Sequence, residues 1–134
     1  MDETLKQIEN FHGHLGPFVV LGYRMGLIAN KKFGNNPFEK KAIVYTGTTP
    51  PISCIVDGIQ MSSGCTLGKG NIKTIDKSEA KAEFFSNENP KNKVTISLNP
   101  ELKKEIDTQI NEENMVSYSE MLWKRSDNEL FLIL

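Results

Sequence analysis

The stretch Ile72–Asn99, IKTIDKSEAKAEFFSNENPKNKVTISLN, decides the fold class of this chain, because it holds three consecutive strand candidates and no helical pattern. The last candidate places Val94, Ile96 and Leu98 on one face and polar side chains on the other. Such alternation is typical of a sheet with one solvated side. The three predicted strands are Ile72–Ile75, Lys81–Ser86 and Lys93–Asn99.

Helical patterns surround this strand-rich centre. Gly22 and Gly26 lie one turn apart on one side of the second predicted helix, which allows another backbone to approach it closely. Mixed helices and strands with consecutive strands in the middle indicate an α+β domain, with a mixed or antiparallel sheet and helices packed on one face. Helices are predicted at Asp2–Asn10, at Pro17–Lys32, at Ile52–Ser62 and after Asn99, a short amphipathic segment around Met121–Lys124, and further strands at Ala42–Thr46 and Glu129–Leu134.

Length and charge restrict the function classes. A chain of 134 residues predicts one domain over residues 1–134. A net charge of −1 gives no basic face, so nucleic acid is not an expected partner. The longest apolar runs are far shorter than the roughly 20 residues of a membrane span, and the acidic start MDETLKQIEN differs from a signal peptide. We therefore expect a soluble, cytoplasmic protein without a membrane partner.

The two histidines, His12 and His14, stand two residues apart around Gly13 and just before the helix predicted at Pro17. In a turn, both rings fall on the same side, and the positive end of the following helix favours neutral imidazole. Neutral imidazole accepts a proton or binds a metal ion. The alternative is that one histidine caps the helix while the other is solvated.

Cys54 falls in the first turn of the third predicted helix, where the helix N-terminus lowers the pKa of a thiol and suits a nucleophile or a metal ligand. Asp57, three residues on, lies near the same helical face. The apolar neighbours Ile55, Val56 and Ile59 also fit a buried, inert cysteine. The sequence leaves both interpretations of Cys54 open.

Cys65 lies beyond the far end of that helix. Ten helical residues span about 15 Å, so Cys54 and Cys65 are not expected to bind one ion within one chain, although a two-fold dimer leaves a shared site open. The glycine-rich turn Gly64–Asn71 departs from the phosphate-loop spacing. Its backbone N–H groups beside Lys69 suit a small anion, and a plain turn is the alternative.

Two stretches, FHGHLGPFVVLGYRMG (Phe11–Gly26) and SCIVDGIQMSSGCTLGKGNI (Ser53–Ile72), resemble the signatures of the FmdE family of formylmethanofuran dehydrogenase proteins. The family is named for association with the molybdenum enzyme that fixes carbon dioxide onto methanofuran at the start of methanogenesis. The resemblance implies an α+β domain, often dimeric, with a cleft that gathers histidine and cysteine side chains. It also implies a component of an oxidoreductase, and leaves open whether this chain is itself catalytic.

The resemblance assigns site residues by motif. Many members carry a cysteine where this chain has Gly16, so any site here has one thiolate fewer. Some members append a cysteine-rich zinc-binding tail, and the sequence up to Leu134 contains none. The implied site residues are His12, His14, Cys54 and Cys65, with Asp57, Gln60, Lys69 and Asn71 beside them.

These observations lead to a predicted homodimer, with a cleft between the histidine turn, the start of the third helix and the glycine-rich turn. In the leading hypothesis His12, His14 and Cys54 hold a transition-metal ion, by default zinc. Asp57 orients a histidine, and Lys69 with Asn71 receives an anionic group. One rival is a metal-free enzyme with Cys54 as nucleophile and His14 as base. Another is a non-catalytic scaffold component of formylmethanofuran dehydrogenase.

Overall fold

The computed structural model describes all 134 residues and contains one mixed five-stranded sheet. The strand order is β2-β1-β3-β4-β5, in which β1 and β2 are parallel and the other neighbours are antiparallel. This confirms the predicted α+β class with a mixed sheet. The strands are β1 (Lys40–Val44), β2 (Ile72–Thr74), β3 (Lys81–Ser86), β4 (Lys93–Leu98) and β5 (Phe131–Ile133).

The register of the sheet separates its two faces. Ala42 on β1 pairs with Phe84 on β3, which pairs with Val94 on β4, and all three side chains are buried. The residues between them, such as Glu83 and Thr95, lie on the other face and are only partly buried. Because successive side chains alternate between the two faces, one face of the sheet packs into the core and the other is partly exposed to solvent.

Six helices complete the domain. Asp2 caps the first helix by accepting hydrogen bonds from two backbone N–H groups, and Asn99 caps the fourth, which has proline at its first position. No helix combines the length and apolarity needed to cross a bilayer, and the longest has 17 residues. The helices are α1 (Glu3–His12), α2 (Pro17–Phe33), α3 (Cys54–Ser63), α4 (Pro100–Gln109), α5 (Met115–Lys124) and α6 (Asp127–Leu130).

The α2 and α3 helices touch through their backbones. A Cβ added to Gly22 would lie 2.1 Å from the carbonyl oxygen of Ile55, and one added to Gly26 would lie 1.8 Å from Oγ of Ser62. The close approach predicted at these two glycines is therefore confirmed. Gly22 precedes Gly26 on α2, and their contacts Ile55 and Ser62 follow in the same order on α3. The two helices are therefore parallel, with their N-termini at the same end of the domain.

The C-terminal region differs from the prediction. The α5 helix begins at Met115, ahead of the amphipathic segment predicted around Met121, and residues 129–130, predicted as the start of the terminal strand, belong to a helix over residues 127–130. Ser126 and Glu129 form a reciprocal capping box that starts the short α6 helix. The strand therefore begins only at Phe131.

Candidate functional site

The two histidines flank a sharp helix end. The α1 helix extends to His12, two residues beyond its predicted end, and Gly13 ends it with a φ of 96°, in the left-handed region. This turn brings the His12 and His14 rings together, with centroids 4.7 Å apart and planes inclined by 43°. A reversal at Gly13, made possible by the missing side chain, produces a pair of adjacent imidazoles.

Asp57 on α3 fixes the orientation of His12. Nδ1 of His12 lies 2.6 Å from Oδ2 of Asp57, and the imidazole is the donor because an ionised carboxylate only accepts. Only 9% of the His12 side chain is exposed. Nε2 of His12 is buried and has no hydrogen-bond partner in the protein. A buried ring nitrogen without a partner is costly, and its lone pair is available to a ligand or a metal ion.

Cys54 is the first residue of α3 and is partly buried. Burial raises the pKa of its thiol, and the nearby carboxylate of Asp57 raises the pKa further. The predicted lowering of this pKa by the helix N-terminus is therefore wrong for the metal-free protein. Desolvation and a negative neighbour both favour the neutral thiol.

His12, His14 and Cys54 line one cavity of about 270 Å³ between the start of α2, the start of α3 and the α4–α5 connection, whereas Asp57 lies behind His12 and does not line it. The shared end of the parallel helices α2 and α3 explains why His14, which precedes α2, and Cys54, which begins α3, meet there. The third wall was not predicted: it comes from α4 and α5. Its members are Ile106, Asp107, Ile110 and Met115.

Gln60 and Asn71 do not line this cavity. Oε1 of Gln60 accepts a hydrogen bond from the backbone N–H of Leu67. Oδ1 of Asn71 accepts one from the N–H of Thr66, and its amide nitrogen donates to the carbonyl of Pro37. Both side chains hold the glycine-rich turn in shape at the opposite end of α3.

The structure also places Lys69 and Cys65 away from the histidines. Nζ of Lys69 lies 3.2 Å from Oγ1 of Thr66. Cys65 is fully buried in the core, where its Sγ lies 3.7 Å from the carbonyl oxygen of Lys40. The prediction that the glycine-rich turn forms a wall of the cleft is thus wrong, because the whole of α3 separates this turn from Cys54. Burial of Cys65 also keeps its thiol from a partner's site.

The cavity carries possible metal-ligand atoms that are not assembled into a metal site in this structure. No three His, Cys, Asp or Glu side chains are gathered as a metal-binding cluster. The available donors are Nε2 of His12, the ring of His14 and Sγ of Cys54. His14 is exposed, and the centroid of its ring lies 4.7 Å from that of the His12 ring. Nitrogen and sulfur donors of this kind suit zinc and other borderline or soft ions.

A mixed five-stranded sheet with six helices, and a histidine pair and a cysteine lining one cavity at one end of two parallel helices, define a small α+β domain. The family model described as "FmdE, Molybdenum formylmethanofuran dehydrogenase operon" matches residues 11–131. The chain belongs to the FmdE family.

Two individual proteins extend the comparison. An FmdE-like protein of the tungsten formylmethanofuran dehydrogenase type, from Syntrophus aciditrophicus, has a similar crystal structure, with a TM-score of 0.63 and 20% sequence identity, over 98% of this chain and 69% of that one. A probable S-adenosyl-L-methionine-binding protein from Archaeoglobus fulgidus is 36% identical over an alignment of 81 residues that covers 57% of this chain and 21% of the relative. The match therefore spans about a fifth of that curated relative's length.

Proposed function

We propose that this protein binds a divalent transition-metal ion in the cavity, through His12, His14 and Cys54. The observation that carries the proposal is Nε2 of His12, a buried nitrogen without a partner on a ring whose Nδ1 is held by Asp57. Carboxylate–histidine pairs of this kind orient metal ligands in proteins and raise their basicity. Zinc is the default ion for two imidazoles and one thiolate.

Asp57 and Cys54 have different roles in the proposed metal site. Asp57 holds the proton of His12 on Nδ1 and leaves the Nε2 lone pair free. Cys54 supplies the thiolate, and a bound cation would favour its ionised form against the burial that now raises its pKa. A zinc ion with three protein ligands would leave one coordination position for water or a ligand and would act as a Lewis acid.

We propose that the protein acts in one-carbon, methanogenesis-type metabolism, in association with formylmethanofuran dehydrogenase. The support is membership of a family described by the operon of that enzyme. Co-elution of the untagged protein with the other polypeptides of the dehydrogenase would test the association. The cytoplasmic location and the homodimer stay predictions, as does the role of a scaffold component.

Cobalt(II) titration of the untagged protein tests the metal site, because a thiolate ligand to cobalt produces a charge-transfer absorption band. We expect one ion per chain and a thiolate band that disappears in Cys54→Ser. His14→Ala should weaken binding, whereas Cys65→Ser, a matched control at the buried cysteine, should keep both the ion and the band. Absence of stoichiometric binding, or a band that depends on Cys65, would contradict the proposal.

S-adenosyl-L-methionine is a second candidate ligand. The support is the 36% identity to the Archaeoglobus fulgidus protein whose name mentions this molecule. Titration of the metal-free and zinc-loaded protein with S-adenosyl-L-methionine, followed by NMR, tests the candidate. Resonance shifts at His14 and Met115 would support it, and unchanged spectra at millimolar ligand would remove it.

A further inference from the structure

A second cavity adjoins the first. It is an open groove of about 530 Å³, lined by the last turn of α1, the histidine turn and the start of α5. His14 and Met115 are the two residues that line both the 270 Å³ inner cavity and this outer groove. These two side chains therefore form the partition between the smaller, partly enclosed cavity and the more open groove.

Gly16 lies beside both side chains of this partition. A Cβ at this position would lie 3.1 Å from Cε1 of His14 and 3.8 Å from Sδ of Met115. The missing side chain thus provides the space in which the ring of His14 lies against the backbone. Met115 is unbranched and flexible, so its thioether can move aside without a change in the backbone.

The inner cavity has an apolar character and one polar atom without a partner. Phe18, Val19, Ile106 and Ile110 line it, and the buried Nε2 of His12 belongs to the same wall. Its volume lies just below the range of about 300–1,000 Å³ that is usual for small-molecule sites, whereas the two compartments together fall within that range. A ligand of ordinary size that enters the inner cavity would therefore also extend into the outer groove.

The charges of the outer groove are negative. Glu9 and Glu112 line it, and neither carboxylate takes part in an ion pair. No lysine or arginine lines either cavity. Asp107, at the inner cavity, is already paired with Lys103. Two carboxylates without a cation produce a local potential that attracts positive charge.

We propose that the ligand of this site is an elongated molecule whose apolar end fills the inner cavity and whose cationic, ammonium-type end lies between Glu9 and Glu112. The molecule passes between His14 and Met115, and Met115 limits the width of the part that enters. This inference rests on the proposed function only in that it concerns the same cavity. It does not involve Lys69, which lines neither compartment, so the small anion predicted at Lys69 stays a separate prediction.

Three probes of equal length, n-hexylammonium, n-hexanoate and n-hexanol, test the inference by NMR titration of the untagged, zinc-loaded protein. We expect n-hexylammonium to bind more tightly than the other two. Glu9→Gln and Glu112→Gln should each weaken it about threefold and leave n-hexanol unchanged. Glu113→Gln, a neighbour that does not line the groove, is the matched control and should have no effect.

Met115→Ala supplies a second, independent readout. It should admit cyclohexylmethylammonium, which is wider than n-hexylammonium, with a gain of several-fold in affinity over the unchanged protein. Equal binding of n-hexanoate and n-hexylammonium, or no response to either glutamate substitution, would overturn the inference. Zinc affinity is measured on the same samples. A protein that does not bind zinc but still prefers the ammonium probe would refute only the metal site. A protein that binds zinc without this preference would refute only this ligand class.

Discussion

Nδ1 of His12 and Oδ2 of Asp57 lie 2.6 Å apart, although 45 positions of sequence separate the two residues. The contact joins the last residue of α1 to the first turn of α3. Because Nδ1 donates its proton in this contact, Nε2 of His12 is a hydrogen-bond acceptor that is buried and has no partner. The proposed metal site depends on this contact more than on any other.

Asp57→Asn should therefore weaken zinc binding by about 10- to 100-fold, because the amide no longer fixes the ring and its proton. Competition with a chromophoric chelator measures the affinity. Gln60→Ala lies one turn further along α3 and outside the cavity, so it serves as the control and should keep the affinity of the unchanged protein. Equal affinities for both variants would contradict the role of Asp57.

The thiol of Cys54 should react slowly in the metal-free protein. Only the thiolate is alkylated, and burial with the Asp57 charge raises the pKa of this thiol, so less thiolate is present at a given pH. The alkylation rate should rise with pH to a midpoint above the value of about 8.5 that is usual for cysteine. Iodoacetamide labelling followed by peptide mass spectrometry measures it. A midpoint below that value would favour the metal-free nucleophile.

Gly58→Ala should destabilise the domain strongly. A Cβ at Gly58 would lie 2.1 Å from the carbonyl oxygen of Val19, so α2 and α3 must move apart. We expect a loss of about 3 kcal/mol in the free energy of unfolding, measured with urea. Gly68→Ala, with no atom within 4 Å of the added carbon, should change it by less than about 0.5 kcal/mol. Similar effects of the two substitutions would contradict the backbone contact.

Arg24→Lys should loosen α5 from α2. The guanidinium of Arg24 donates to the backbone carbonyl of Trp123 at 2.9 Å and to Asp127 at 2.8 Å, a forked contact that lysine does not reproduce. We expect a loss of about 2 kcal/mol in the free energy of unfolding. Lys31→Ala removes an exposed partner of the same aspartate at 3.6 Å and should cost less than about 0.5 kcal/mol. A larger effect at Lys31 would contradict this account.

The central strands were predictable because their side chains alternate. The predicted range Lys81–Ser86 is that of β3, and β4 ends one residue before its predicted end. The start of α5 was missed because Ser117 and Ser119 have weak helix propensity. In the structure α5 is held against α2 by the carbonyl contacts of Arg24, which connect residues far apart in sequence.

The candidate site was predictable in part. Residue type and position singled out His14, just before a helix, and Cys54, in the first turn of one, but their place in one cavity follows from the parallel packing of α2 on α3. The small residues Gly58 and Ser62 on α3, spaced like Gly22 and Gly26 on α2, were the signal for that packing. Met115 had no such signal, because a tertiary contact alone brings it to the cavity.

Anomalous scattering at the zinc edge, from a crystal of the untagged and zinc-loaded protein, tests the central claim most directly. The account predicts one peak per chain, about 2.0–2.1 Å from Nε2 of His12 and from a ring nitrogen of His14, and about 2.3 Å from Sγ of Cys54. A peak at other residues, or none beside His12, would contradict it.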